Sequence, residues 1–558
     1  MSDDARQSED ATEGHGGQQV TRVAAAYGVD TVFTLSGAHV FPVYDAAVKH
    51  EPSLRLLDVR HEQTAVFAAE GVAKLTRRPG FAVATAGPGV TNTVSAVTTA
   101  HFNGSPVVVL GGRAPAWRWG TGSLQEMDHV PLMAPVTKHA ATIDRVDDIT
   151  AGTADAFAAA TSPHRGPAFV DVPMDVLFSR CPLPEVPGPV GSEPLEPDDA
   201  ALDAAVRALG KARHPVLVLG SDVWTCGGED AARRLAERLG VPVISNGMGR
   251  GVVPAGHPLL VTRARGAAFG GADLVVVVGT PLDFRLGYGS FGGKDGAAPA
   301  PVVHVVDSPD QLAGHVDLAA GLAGDLTVVL DLLADRTRQA DRAEVDRWAA
   351  GLADAAAAAV AQDAGLLAST SDPVHPARIY GELNRRLDPD AVVIGDGGDF
   401  VSFAGRFVEP RMPGRWMDPG PFGCLGAGLG YAVAARLSHP TSQVVLLLGD
   451  GASGFSLMDV DTLVRHGLPV VMVMGNNGVW GLEKGPMNML YGYDVIADLT
   501  PQTRYDHVVT ALGGGGELVT SPEQIGPALD RAFASGVPYL VNVATDPAAA
   551  YPRQTLGV

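Results

Sequence analysis

Cysteine is nearly missing from this chain: among 558 residues there are only Cys181, Cys226 and Cys424, far apart and without a Cys-x-x-Cys pair. Neither a disulfide framework nor a thiolate zinc site is expected, and the reducing cytoplasm is the simplest home. Long hydrophobic runs are missing as well. No stretch of about 18 apolar residues occurs, so no membrane-spanning helix is expected, and the N-terminus shows no apolar leader segment. Residues 1–19, polar and acidic, read as a disordered tail. Positive charge is in deficit, with 41 Lys and Arg against 62 Asp and Glu for a net charge of −21, which argues against nucleic acid or an anionic membrane as partner. The rest of the composition is that of a folded chain: 46% hydrophobic and 18% charged residues leave ample apolar surface to bury.

At roughly 150 residues per domain the length suggests three or four units. Short β-branched runs followed by glycine and then an alanine-rich stretch recur along the chain, the pattern of strands alternating with helices in parallel sheets. They fall into three blocks. The first predicts strands at 30–35, 54–59, 81–86, 106–110 and 168–172. The second predicts 214–219, 241–245, 273–279 and 302–306, and the third 391–395, 443–448, 469–474 and 539–543. The expectation is an α/β protein of three doubly wound parallel-sheet domains, at 20–182, 199–335 and 375–558. A Pro-rich linker (183–198) and a helical one (336–374) would join them. In open parallel sheets ligands sit beyond the carboxyl ends of the strands, so chemistry is sought in the loops there.

Two such loops are informative. The strand at 443–448 runs into Gly449-Asp450-Gly451-Ala452-Ser453, and the strand at 469–474 runs into Gly475-Asn476-Asn477-Gly478. One carboxylate, one amide oxygen and a backbone carbonyl suit Mg²⁺, which takes hard oxygen ligands and shares them with phosphates and water. Gly451 lets backbone approach a phosphate, and a helix expected to begin near Ser456 would turn its amide end toward it. A lone Gly-Asp-Gly is common in any α/β protein; the Asn-Asn pair one helix and one strand later makes the pattern specific.

Together these loops resemble the thiamine diphosphate signature, and the resemblance extends over nearly the whole chain to the acetolactate synthase-like family of thiamine diphosphate enzymes. That family includes acetohydroxyacid synthases, pyruvate oxidases, benzaldehyde lyase and the acyl-CoA lyases. The resemblance implies a pyrimidine-binding, a middle and a diphosphate-binding domain in that order. It implies Asp450, Asn477 and the carbonyl of Val479 as metal ligands, and Gly449, Gly451, Ala452, Ser453, Asn477, Val479, Trp480 and Gly481 around the cofactor. Arg60-His61-Glu62-Gln63, opening a helix expected at 64–75 that carries Ala68-Ala69-Glu70-Gly71, resembles the segment holding the family's activating glutamate. Glu62 would present its carboxyl group to the cofactor's aminopyrimidine. Gly87-Pro88-Gly89-Val90-Thr91-Asn92 matches the Gly-Pro-Gly loop, with Pro88 and Asn92 as cofactor contacts. Gly423-Cys424-Leu425-Gly426 matches the stretch whose large apolar residue, here Leu425, wedges the cofactor into its bent form, with Gly423 beside it.

Three features bear on the reaction. His39, in Ser36-Gly37-Ala38-His39, resembles the active-site histidine of benzaldehyde lyase. Gln125, in Gly122-Ser123-Leu124-Gln125-Glu126, resembles the Phe-Gln-Glu region shared by acetolactate synthases and acyl-CoA lyases and would face the substrate. Beyond Asn477 the acceptor-recognising Gln-Trp of acetohydroxyacid synthases is missing, and Glu483 stands where pyruvate decarboxylases carry a proton-transferring glutamate. His39 and Glu483 as an acid–base pair predict a carbon–carbon lyase or carboligase, with 2-hydroxyacyl-CoA lyase the leading expectation. Acetolactate synthesis from two pyruvates is the alternative, and a non-catalytic relative that kept only the fold a third. The stretch Gly279-Thr280-Pro281-Leu282-Asp283-Phe284-Arg285 resembles the place where relatives hold FAD or an adenine nucleotide, and keeps that pattern only in part. The resemblance further implies a homodimer or homotetramer with shared active sites.

Overall fold

The computed structural model describes residues 13–189, 194–293 and 298–551. The chain divides into two compact units, 1–192 and 193–558. In the first, β-branched runs too apolar to face water on either side build a six-stranded sheet. Its order is Arg55–Asp58, Thr31–Thr34, Gly80–Ala84, Val107–Arg113, Ala168–Pro173 and His139–Thr142, with every neighbouring pair parallel. Val107 to Leu110 are fully buried, and Phe157 packs its ring 5.1 Å from Tyr27 and 5.5 Å from Phe81. Truncating such a ring to alanine costs about 3–5 kcal/mol. The edge strand His139–Thr142, of sequence His-Ala-Ala-Thr, was not expected from sequence because alanine gives no β-branched run.

The expected disordered tail ends sooner than residue 19. Its residues 1–12 lie outside the described residues, but Glu13–His15 pairs antiparallel with Arg180–Pro182 and Gly16–Ala26 is helix. The reason is Gln19, fully buried with its amide satisfied: Nε2 donates to the Val146 carbonyl at 2.9 Å, and Oε1 accepts from the Thr150 amide at 3.1 Å and its hydroxyl at 2.8 Å. Composition counts such a glutamine as polar surface, whereas full pairing lets it sit inside.

The second unit holds two parallel sheets. One has the order Val243–Ser245, Pro215–Leu219, Leu274–Val278, Val302–Val306 and Leu318–Ala323. Within the segment expected as a helical linker, Arg342–Leu367 is one 26-residue helix. Val345, Ala349, Leu352 and Ala356 form its buried stripe at helical spacing, and the last two join the core of this sheet. The other sheet has the order Trp416–Met417, Val392–Asp396, Val444–Gly449, Val471–Asn476, Tyr539–Ala544 and Gly515–Val519, again parallel throughout. Leu318–Ala323, Trp416–Met417 and the glycine-led Gly515–Val519 were invisible in sequence for the same lack of β-branched runs. Asp396, Gly449 and Asn476 end three adjacent central strands, at the carboxyl edge where this topology opens a crevice.

Candidate functional site

At that edge lies a cleft of about 500 Å³. Asp450 and Asn477 both line it, and so do Gly449, Gly451 and Ala452 of the first loop and Val479, Trp480 and Gly481 of the second. The two loops are tied directly, since the Gly478 amide donates to Asp450 Oδ2 at 2.8 Å. Asn477 Oδ1 accepts from the Val479 amide at 3.1 Å, closing a turn. A Cβ on Gly451 would come within 2.6 Å of the Trp480 ring, so only glycine fits beneath that indole. Asp450 is 3% exposed, and burial pushes its carboxyl group up to about 6 against the pull of the Gly478 and Gly451 amides.

A helix does begin at Ser456, which at φ −145° caps the single 3₁₀ turn Leu457–Asp459 that runs on into Val460–Arg465; a further short helix, Asp450–Ser453, opens directly at the cleft. One expectation changes here. Ser453 does not line the cleft; it is buried, and its hydroxyl donates back to the Asp450 carbonyl at 2.6 Å.

Asp396 escaped the sequence reading. It is fully enclosed, and its carboxylate accepts from the Gly426 amide at 3.0 Å and the Gly428 amide at 2.9 Å, which fixes the turn carrying Gly423 and Leu425 at the cleft. Burial pushes Asp396 up to about 6 as well. Its only sequence signal was its place after a β-branched strand, before Gly397-Gly398. Glu483 lies exposed in the first turn of the helix Gly481–Tyr491 and lines the same cleft. Phe284 and Arg285 line it from the middle sheet, where Asp283 pairs with Arg285 at 2.7 Å. Burial and the neighbouring Arg250 and Arg285 hold Arg265 down to about 10.

The first unit gathers the remaining candidates. Glu62 starts the helix Glu62–Thr76, two residues earlier than expected, because His61 caps it by accepting the Gln63 amide. Glu62 is 7% exposed, and Asn92 Nδ2 donates to its Oε2 at 3.0 Å, so the glutamate helix and the end of the Gly-Pro-Gly loop meet. Pro88 opens the short helix Pro88–Thr91 behind Gly87, which holds φ +58°. A Cβ on Gly87 would meet Gln125 Cβ at 2.9 Å, so the Gln125 segment packs on that loop, with Gln125 itself at φ +60°. His39 is buried, its Nδ1 3.0 Å from Thr85 Oγ1. Burial, with neighbouring His129, holds its imidazole below the usual range and favours the neutral form.

Carboxylate, amide oxygen and backbone carbonyl around a glycine-lined cleft are a hard-oxygen donor set beside room for a phosphate. Asp450 is buried with no ion pair among the described residues, as expected of a carboxylate that answers to a cation from outside.

Comparison with known proteins bears on the same segments. The description "Thiamine pyrophosphate enzyme, N-terminal TPP binding domain" matches residues 14–132, its central domain 202–333, and its C-terminal TPP binding domain 396–543. The chain is 51% identical over 544 residues to the probable acetolactate synthase of Mycobacterium bovis and, equally, to the acetolactate synthase large subunit IlvG of Mycobacterium tuberculosis, covering 97% of each chain. It is 34% identical over 587 residues to 2-hydroxyacyl-CoA lyase 2 of Homo sapiens, covering 95% of this chain and 90% of that protein.

Proposed function

The chain belongs to the thiamine pyrophosphate enzyme family and is a thiamine diphosphate-dependent enzyme of carbon–carbon bond chemistry; from that premise we propose that it is a lyase or carboligase. It would cleave a 2-hydroxyacyl-CoA to an aldehyde or ketone plus formyl-CoA, and run in reverse. The observation that carries this reading is Glu483 lining the same cleft as Asp450 and Asn477, where acetohydroxyacid synthases would present Gln-Trp.

When bound, thiamine diphosphate supplies a carbon nucleophile that adds to a carbonyl and takes up the electron pair of the breaking bond. The protein's residues do the rest. Asp450, Asn477 and the Val479 carbonyl would hold the diphosphate through Mg²⁺, with Gly449, Gly451, Ala452, Trp480 and Gly481 shaping its cradle and Leu425 supporting the rings. Glu62, oriented by Asn92, would offer its carboxyl group to the pyrimidine nitrogen. His39, kept neutral by burial, would take the proton from the substrate's hydroxyl, and Glu483 would move the proton at the carbon or oxygen where the bond forms. Phe284, about half exposed, and Arg285 offer a ring face and a cation to the nucleotide part of a CoA thioester. By the family's arrangement, in which one subunit's glutamate serves cofactor held by another, we assign a homodimer or homotetramer.

Glu483→Gln tests the reading. With 2-hydroxyacyl-CoA as substrate, kcat should fall about 100-fold while KM stays within about threefold, the split expected when a group acts only in the transition state. Parent-like kcat would remove Glu483 from the mechanism. Acetolactate synthesis is the second reading, favoured by 51% identity to proteins of that name along 97% of their length.

A further inference from the structure

His129 is fully buried in the first unit and has no part in the chemistry proposed above. Its Nε2 lies 3.0 Å from the Gly87 amide, which donates to it, so Nε2 carries no proton. Its Nδ1 lies 2.8 Å from Asp171 Oδ2 and therefore bears the hydrogen and donates to that carboxylate. Asp171 is itself fully buried, and the same Oδ2 also accepts from Arg113 Nη1 at 2.9 Å, while Oδ1 has no hydrogen-bond partner among the described residues. The same Arg113 nitrogen reaches Asp128 Oδ1 at 3.1 Å, and the guanidinium stacks 3.9 Å from the Trp119 ring. One end of the imidazole is thus fixed by an ion pair with no exposed member but Asp128. The other end grips the single backbone amide at which the chain turns left-handed to enter the helix Pro88–Thr91. That helix ends at Asn92, whose amide holds Glu62.

We infer that His129 is a positioning residue: through Gly87 it sets the place of the Pro88–Asn92 segment, and through Asn92 the place of the Glu62 carboxyl group. Glycine takes this positive φ without steric cost and reaches many other conformations as readily, so Gly87 holds one place only where its surroundings fix it. Both imidazole nitrogens are paired, so the ring has one orientation in which neither end is left without a partner. The alternative is a histidine that merely fills the core between the sheet and the Gly-Pro-Gly loop. The inference about Glu62 rests on the reading under Proposed function; the grip on Gly87 does not.

Asparagine and glutamine separate the two contacts, since an asparagine amide reaches only where Nδ1 stood and a glutamine amide reaches where Nε2 stood. In the full-length protein, His129→Asn should keep the Asp171 bond and lose the Gly87 one, and His129→Gln the reverse. Hydrogen exchange at the Gly87 amide should be about tenfold faster in His129→Asn than in the parent, and parent-like in His129→Gln. In His129→Asn, kcat should fall about tenfold with KM for thiamine diphosphate within about twofold, and His129→Gln should restore kcat. Equal exchange at Gly87 in the two variants would overturn the inference. Should His129→Asn fail to fold, ¹⁵N imidazole shifts of the unmodified protein decide: an unprotonated Nε2 supports the grip on Gly87, and a protonated one overturns it. Exchange reads that contact without reference to turnover, so a failed assignment of Glu62 leaves it standing.

Discussion

At the scale of single residues, Glu62 is the sharpest test of the proposed chemistry, because its carboxyl group is buried and is held by the side-chain amide of Asn92. Glu62→Ala should lower turnover by about 10²–10⁴-fold, the range for removing one acid–base group, while Mg²⁺-dependent binding of thiamine diphosphate, measured by titration calorimetry, stays close to the parent's. Turnover near the parent's would sink the assignment. Glu62, Asp450 and Asn477 were legible in sequence because each sits in a short contiguous motif after a strand. Asp396 and His129 were not, because what gives them meaning is far along the chain: the Asp396 partners come 30 and 32 residues later, and both partners of His129 lie 42 residues away.

At the scale of elements, Asp396 joins the strand Val392–Asp396 to the turn before the helix Ala427–Ser438 and makes their junction depend on pH. Its folded pKa of about 6 stands above the ordinary aspartate value of 3.8, so burial favours the neutral acid. The stabilisation this gives is complete below 3.8 and is lost as pH rises through about 6. A shift of that size corresponds to about 3 kcal/mol. Urea unfolding of the parent and of Asp396→Asn, compared from pH 4 to pH 7, should show the parent's relative stability shrinking by about that amount. A difference that does not change with pH would contradict it. Sequence pattern found the strands with continuous valine, isoleucine or leucine runs, such as Val302–Val306, to within a residue or two. It missed those such as His139–Thr142, whose strand state comes from pairing with Ala168–Pro173 rather than from its own side chains.

At the scale of the molecule, three parallel sheets in two compact units carry chemistry-bearing loops at strand ends, and among the described residues no helix is long and apolar enough to cross a membrane. The order of sheets was readable because each is a run of strand and helix signals closed by a linker. Which carbonyl compound the cleft accepts was not readable, since it depends on surfaces such as Phe284 and Arg285 that fold in from a segment distant in sequence from Asp450 and Asn477. The most direct measurement is product analysis by mass spectrometry on protein reconstituted with thiamine diphosphate and Mg²⁺, given in parallel a 2-hydroxyacyl-CoA, formyl-CoA with an aldehyde, and pyruvate. The proposal predicts formyl-CoA and an aldehyde or ketone from the first and the ligated 2-hydroxyacyl-CoA from the second; acetolactate from pyruvate as the only product would contradict it.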